Sequence, residues 1–180
     1  MDSICAKPKA SFSIISKLDP VGDKLPNAEL YENTPGNKVN IYDIISGKKV
    51  VLFGVPGAFV PGCSKTHLGG YVKEADNLKD HGIGELVCIA VNDAFVCNAW
   101  AKDTKAEGKI RILSDPQANF TKSIELTTEI PLMGGIRSMR YSMLLDDGVI
   151  KALNVEPDGT GLSCSLAQHM KDKLKEKAEE

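Results

Sequence analysis

Val50-Val51-Leu52-Phe53-Gly54-Val55-Pro56-Gly57-Ala58-Phe59-Val60-Pro61-Gly62-Cys63-Ser64-Lys65-Thr66-His67 is the stretch from which the rest of the chain can be read. The apolar, β-branched run 50–55 suits a strand covered on both faces, and Pro56, Gly57, Pro61 and Gly62 punctuate the chain around Ala58-Phe59-Val60. Beyond the turn, Leu68, Tyr71, Val72, Ala75 and Leu78 recur at helical spacing and give one apolar face. Cys63 is thereby delivered to the start of a helix, where unpaired N–H groups and partial positive charge favour thiolate over thiol. The pattern predicts a nucleophilic cysteine. Gly69-Gly70 weakens the helix that follows and predicts a bend in it.

Outward from this stretch, apolar segments at 86–91, 110–113, 141–145 and 149–155 read as strands, with shorter ones near 29–31 and 39–41. Asp147-Gly148 between two of them is a hairpin signal. Residues 94–102 and 119–124 read as helices, and Leu166, Met170 and Leu174 mark a C-terminal helix whose end, 173–180, is a solvated charge run. Strands alternating with helices give an α/β class.

The 180 residues fit one domain, expected over 19–180 and preceded by a flexible extension over 1–18. The net charge of -2, with lysines dispersed among acids, leaves neither a nucleic-acid stripe nor a polybasic membrane face. No apolar run is long enough to span a membrane, and the first 18 residues lack the apolar centre of a secretory signal. A soluble, cytoplasmic protein is expected, with a mitochondrial or peroxisomal location left open. The five cysteines, at 5, 63, 88, 97 and 164, form an odd and widely spaced set without Cys-x-x-Cys or zinc-type Cys/His pairing. Such thiols are kept reduced, and any disulfide among them is transient and functional. His67, His81 and His169 stand apart from one another and are expected at the surface or at helix ends. No dinucleotide fingerprint or phosphate loop occurs.

The same central stretch resembles the peroxidatic motif of the peroxiredoxins, Pro-x-x-x-(Thr/Ser)-x-x-Cys, through Pro56, Val60 and Cys63. Its flanks, Phe53 to Phe59 and Pro61 to Leu68, are similar to the peroxiredoxin-5 subfamily, the atypical two-cysteine type. So are Pro35-Gly36-Asn37-Lys38-Val39-Asn40, Val91-Asn92-Asp93-Ala94-Phe95-Val96 and Lys151-Ala152-Leu153-Asn154-Val155-Glu156-Pro157-Asp158-Gly159-Thr160-Gly161-Leu162. The resemblance spans about residues 21–167.

It implies a thioredoxin-like fold, a central mixed β-sheet flanked by helices. It also implies a thiol-dependent peroxidase that uses no metal, haem, flavin or nucleotide. Cys63 would attack hydrogen peroxide, an alkyl hydroperoxide or peroxynitrite, and the resulting sulfenic acid must condense with a thiol before it is overoxidised. By the same resemblance that thiol is Cys164, which follows the turn-rich segment 156–161 in a Gly-Leu-Ser-Cys-Ser-Leu context, a segment able to move. Thioredoxin would reduce the disulfide, and a homodimer is the family-level expectation. Arg140, in Ser138-Met139-Arg140-Tyr141, matches the arginine that the family places at the start of a strand facing the thiolate; Arg137 falls outside that position. Pro56 would shield the thiolate from water, and backbone N–H groups around Gly62 and Cys63 would contact the peroxide. Cys88 reads as core, while Cys97, on a helix, and Cys5 have no matched role.

Two residues depart from the pattern. Val60 stands where the family has Thr or Ser, copying the shape of threonine without its hydroxyl. Losing one donor to developing charge can cost on the order of 10²–10³ in rate, so weakened activity is expected. The rival reading is a sensor or binding protein that keeps the fold and the reactive thiol but has lost efficient turnover. Gly69 stands where the family usually has proline, which bears on the local helix geometry.

Overall fold

The run ending at Val55 does form a strand buried on both faces, placed inside a seven-stranded sheet. In the computed structural model, which describes residues 21–178, the strands in chain order are β1 (Glu29–Glu32), β2 (Thr34–Asn40), β3 (Lys49–Val55), β4 (Glu85–Ala90), β5 (Arg111–Ser114), β6 (Thr127–Ile130), β7 (Gly135–Ser138), β8 (Tyr141–Asp146) and β9 (Val149–Val155). The helices are α1 (Ile41–Ile45), α2 (Gly69–Asp80), α3 (Ala94–Asp103), α4 (Asn119–Ser123) and α5 (Ala167–Ala178). The expected extension over 1–18, with Cys5, lies outside the described residues.

The sheet runs β2-β1-β5-β4-β3-β8-β9, with β3, β4 and β5 parallel and the remaining pairings antiparallel. Alternation along β3 feeds two cores. Val51, Phe53 and Val55 face Tyr71, Trp100 and Met170 from α2, α3 and α5, while Val50 and Leu52 face Ile41, Ile44 and Ile45 from α1 and Phe120 from α4. The expected hairpin at Asp147-Gly148 joins β8 and β9, both turn residues having positive φ, 48° and 76°.

Register decides what meets at one end of this sheet. Gly54 pairs with Tyr141 across β3 and β8, and Tyr141 pairs with Val155 across β8 and β9. The residues just beyond, Pro56, Arg140 and Glu156, therefore come together where three strands end, and the Glu156 N–H donates to the Arg140 carbonyl at 3.0 Å. A side chain at Gly54 would fall inside the Tyr141 ring, so this close crossing requires glycine.

One expectation needs correction, and one element goes unforeseen. Residue 41 was expected in a strand, yet Ile41 opens α1, because the Asn40 side chain accepts from the Tyr42 N–H at 2.9 Å and caps a helix there. The hairpin β6–β7 escaped the sequence reading because both strands are short, mostly half-buried and carry no apolar alternation.

Candidate active site

From Val55 the chain leaves the sheet through Pro56 and Gly57, both buried, and turns at Phe59, which takes a positive φ of 62°. A bulky residue in that region carries strain of order 1–3 kcal/mol, a cost sustained only where surrounding contacts fix the loop. Here the Ala58 N–H donates to Asn92 Oδ1 at 2.9 Å, tying the turn to the chain leaving β4. Arg137 braces the same corner by donating to the carbonyls of Val91, at 2.7 Å, and Met133. Its guanidinium is committed to backbone.

The next residues, Gly62–Leu68, form a π-helical turn that runs into α2. The Gly69 N–H reaches the Ser64 carbonyl five residues back, and a Cβ at position 69 would sit 3.0 Å from that oxygen. At Gly69, where a bend was expected, the π turn gives way to the α-helical pitch of α2. Such π turns recur at functional sites. No side chain caps the helix start at Pro61, and the Trp100 indole N–H donates to Ser64 Oγ at 2.9 Å, pinning the turn from α3.

Cys63 is a free thiol with no exposed surface. Arg140, 3% exposed, lies against it, with Nη2 donating to Sγ at 3.3 Å. Nε donates to the Thr160 carbonyl at 3.2 Å and Nη1 to His67 Nδ1 at 3.3 Å. Among the described residues Arg140 makes no ion pair with a carboxylate. The guanidinium is withdrawn from water, and the Cys63 sulfur stands on its open side. Gly62 packs close by: a Cβ on it would lie 3.2 Å from Leu162 and 3.6 Å from Arg140 Nη2. Val60 is half-buried against the same core, and its carbonyl accepts from the Ser64 N–H at 2.9 Å.

His67 corrects a second expectation, since it has no exposed surface and is part of this cluster. The ring is wedged against Phe53 and Tyr71, with centroids 5.0 and 5.6 Å away. Burial, reinforced by the Arg140 charge, drives its pKa from 6.5 down to about 3, so the imidazole is neutral. The signal missed in the sequence is its spacing: four residues after Cys63, it falls on the same helical face.

Cys164 lies in the segment between β9 and α5, which Glu156 fastens. Its carboxylate, 1% exposed, accepts from the Ser163 N–H and Oγ and from the Ser165 N–H and Oγ, at 2.6–2.9 Å. Burial raises its pKa, but these four donors outweigh it and the group stays below the usual carboxylate range. Cys164 is nearly buried and is not among the free thiols; since Cys63 is free, the two are not joined in this structure. Cys88, in β4, and Cys97, in α3, are buried, and burial pushes their thiols up, Cys97 to about 12. The site therefore has one thiol beside a cation and two that are chemically quiet.

Residues 20–169 match the Redoxin family. Peroxiredoxin-2E, chloroplastic, of Arabidopsis thaliana is 40% identical over 158 residues, 84% of this chain and 68% of that protein. Peroxiredoxin-2D of the same plant is 39% identical over 77% of this chain and 88% of its own length. Among solved structures, reduced Prx3 in complex with H2O2 from Vibrio vulnificus has a TM-score of 0.81 at 42% identity, covering 87% of this chain and 99% of that one. Peroxiredoxin 5 from Alvinella pompejana has a TM-score of 0.76 at 39% identity, covering 87% and 97%. The central mixed sheet flanked by helices is thus the thioredoxin-like fold.

Proposed function

The chain belongs to the redoxin family, with peroxiredoxins as its relatives, and on that premise we propose that it is a two-cysteine peroxidase of the peroxiredoxin-5 type, acting on hydrogen peroxide or a small organic peroxide. The observation that carries the reading is the Arg140 guanidinium on Cys63 Sγ, with no carboxylate paired to it among the described residues. Cys63 attacks as the thiolate: an S–O bond forms while the O–O bond breaks, and the departing oxygen leaves as hydroxide or alkoxide and takes up a proton. The products are a sulfenic acid and water or an alcohol.

Arg140 offsets the charge of the nucleophile and the charge growing on the peroxide oxygens, Pro56 keeps water from the sulfur, and the N–H groups near Gly62 and Cys63 face the incoming oxygen. Cys164, reduced, then condenses with the sulfenic acid, forming the S–S bond and releasing water. A dithiol of the thioredoxin type returns both thiols by exchange. A disulfide needs Cα atoms within about 7 Å, so wherever the reduced chain holds Cys63 and Cys164 farther apart, resolution requires the segment that Glu156 fastens to rearrange. The proposal includes a homodimer, for which the exposed Leu132 and half-exposed Phe59 offer apolar surface. It also includes an intracellular compartment.

The test is peroxide consumption coupled to thioredoxin, thioredoxin reductase and NADPH, with mass spectrometry of the oxidised chain. Sustained turnover with a Cys63–Cys164 disulfide supports the proposal; no turnover contradicts it. Val60 favours the second reading, a thiol sensor or binding protein. Val60→Thr restores a hydroxyl at nearly constant volume, and on the peroxidase reading it speeds Cys63 oxidation by ~10-fold or more. An equal or slower rate favours the sensor.

A further inference from the structure

His67 touches both halves of the chemistry proposed above. A guanidinium only donates, so the contact between Arg140 Nη1 and His67 Nδ1, at 3.3 Å, is a hydrogen bond only when Nδ1 carries a lone pair. The proton then sits on Nε2, which is 3.1 Å from the carbonyl oxygen of Ser165 and donates to it. Ser165 directly follows Cys164, and the Tyr71 hydroxyl donates to the same carbonyl at 2.9 Å. One ring thus joins the cation that contacts the nucleophile to the segment that carries the second cysteine.

Each end of this chain of contacts depends on the other. With the segment docked, Arg140 has Thr160 as acceptor for Nε and His67 has Ser165 as acceptor for Nε2. When the segment departs, a buried imidazole N–H and a buried guanidinium N–H lose their partners together. Docking and the placement of Arg140 on Cys63 are therefore coupled, and the coupling is reciprocal.

We propose that His67 is a positioning residue which, as the Nε2–H tautomer, holds the Arg140 guanidinium on Cys63 for as long as the Cys164 segment is docked. The proposal rests on the peroxidase reading for its purpose, but not for its test. A bland alternative is that the ring merely fills space between Phe53 and Tyr71.

Two variants and one spectrum separate these. His67→Met fills the volume without an acceptor or a donor, whereas His67→Gln keeps one of each. The readout is the alkylation rate of reduced Cys63 by iodoacetamide, followed by peptide mapping, which reports the nucleophile even if the protein reduces no peroxide. The expected result is a loss of about 10-fold or more in His67→Met, the loss of one hydrogen bond to a charged group, and a rate within about 3-fold of wild type in His67→Gln. Nitrogen-15 NMR of the reduced wild-type protein should place the ring proton on Nε2. If His67→Met does not fold, that tautomer decides. A wild-type rate in His67→Met, an equal loss in both variants, or a ring proton on Nδ1 overturns the proposal.

Discussion

The Trp100 indole donates to Ser64 Oγ at 2.9 Å, so the side chain of the residue following Cys63 is held from α3 by the only tryptophan in the chain. Any unwinding of the turn at Cys63 breaks this bond and changes the surroundings of the indole. A peroxide pulse given to the reduced protein should therefore produce a fluorescence change in two phases. The first scales with peroxide concentration and the second, disulfide formation, does not. Cys164→Ser should keep the first and lose the second. A second phase that survives in Cys164→Ser rejects Cys164 as the resolving partner.

Arg140 is nearly buried and contacts Cys63 directly, so Arg140→Met removes the cation facing the sulfur. The expected outcome is a first oxidation slower by on the order of 10²–10³. Arg140→Lys should recover only part, because an ammonium keeps the charge but loses the fork that also reaches His67 and Thr160. Unchanged kinetics in Arg140→Met would show that the contact is structural.

The neutral state of His67 sets a window of acid sensitivity. Its pKa is depressed on folding from 6.5 to about 3, by burial first and by Arg140 second. Above 6.5 the ring is uncharged in both states and contributes no pH dependence. As pH falls toward 3, the unfolded chain takes up a proton that the folded chain refuses, so stability is lost, by at most about 5 kcal/mol from this group. Urea denaturation across that range should show a flatter profile for His67→Gln than for wild type. Parallel profiles would contradict the assignment of a neutral, buried ring.

Gly54 is where β3 and β8 cross most closely. In Gly54→Ala the added methyl would enter the Tyr141 ring and lie 2.7 Å from Ser138 Oγ. Overpacking of this kind costs about 1–3 kcal/mol. The midpoint of chemical denaturation should fall accordingly, and activity should fall with it because Arg140 adjoins Tyr141. A wild-type midpoint would mean that the strands are free to separate.

Local signals made much of this molecule legible from sequence. The apolar run into Pro56-Gly57 gave β3 and its exit, the punctuation before Cys63 placed it at a helix start, and Asp147-Gly148 gave the last hairpin. What local pattern did not reach was long-range, and Arg140 entered the site only through the family resemblance. That Arg140 and Glu156 stand beside the end of β3 depends on register across β8 and β9, which no local pattern encodes. His67 was misplaced because it stands apart from the other histidines in sequence, and only a buried guanidinium and the Ser165 carbonyl give it partners. Glu156 was seen as part of a turn, while its role as an anchor for Ser163 and Ser165 appears only in three dimensions.

The central claim is that Cys63 reduces peroxide, and a single-turnover measurement tests it most directly. The reduced protein is mixed with hydrogen peroxide by stopped flow, without any recycling reductant, and the sulfenic acid is trapped and located by mass spectrometry. The account predicts that the rate rises linearly with peroxide, that one peroxide is consumed as Cys63 is oxidised, and that Cys63→Ser consumes none, since an unactivated hydroxyl does not replace a thiolate. Peroxide consumption that persists in Cys63→Ser, or a wild-type protein whose Cys63 stays reduced, would contradict it.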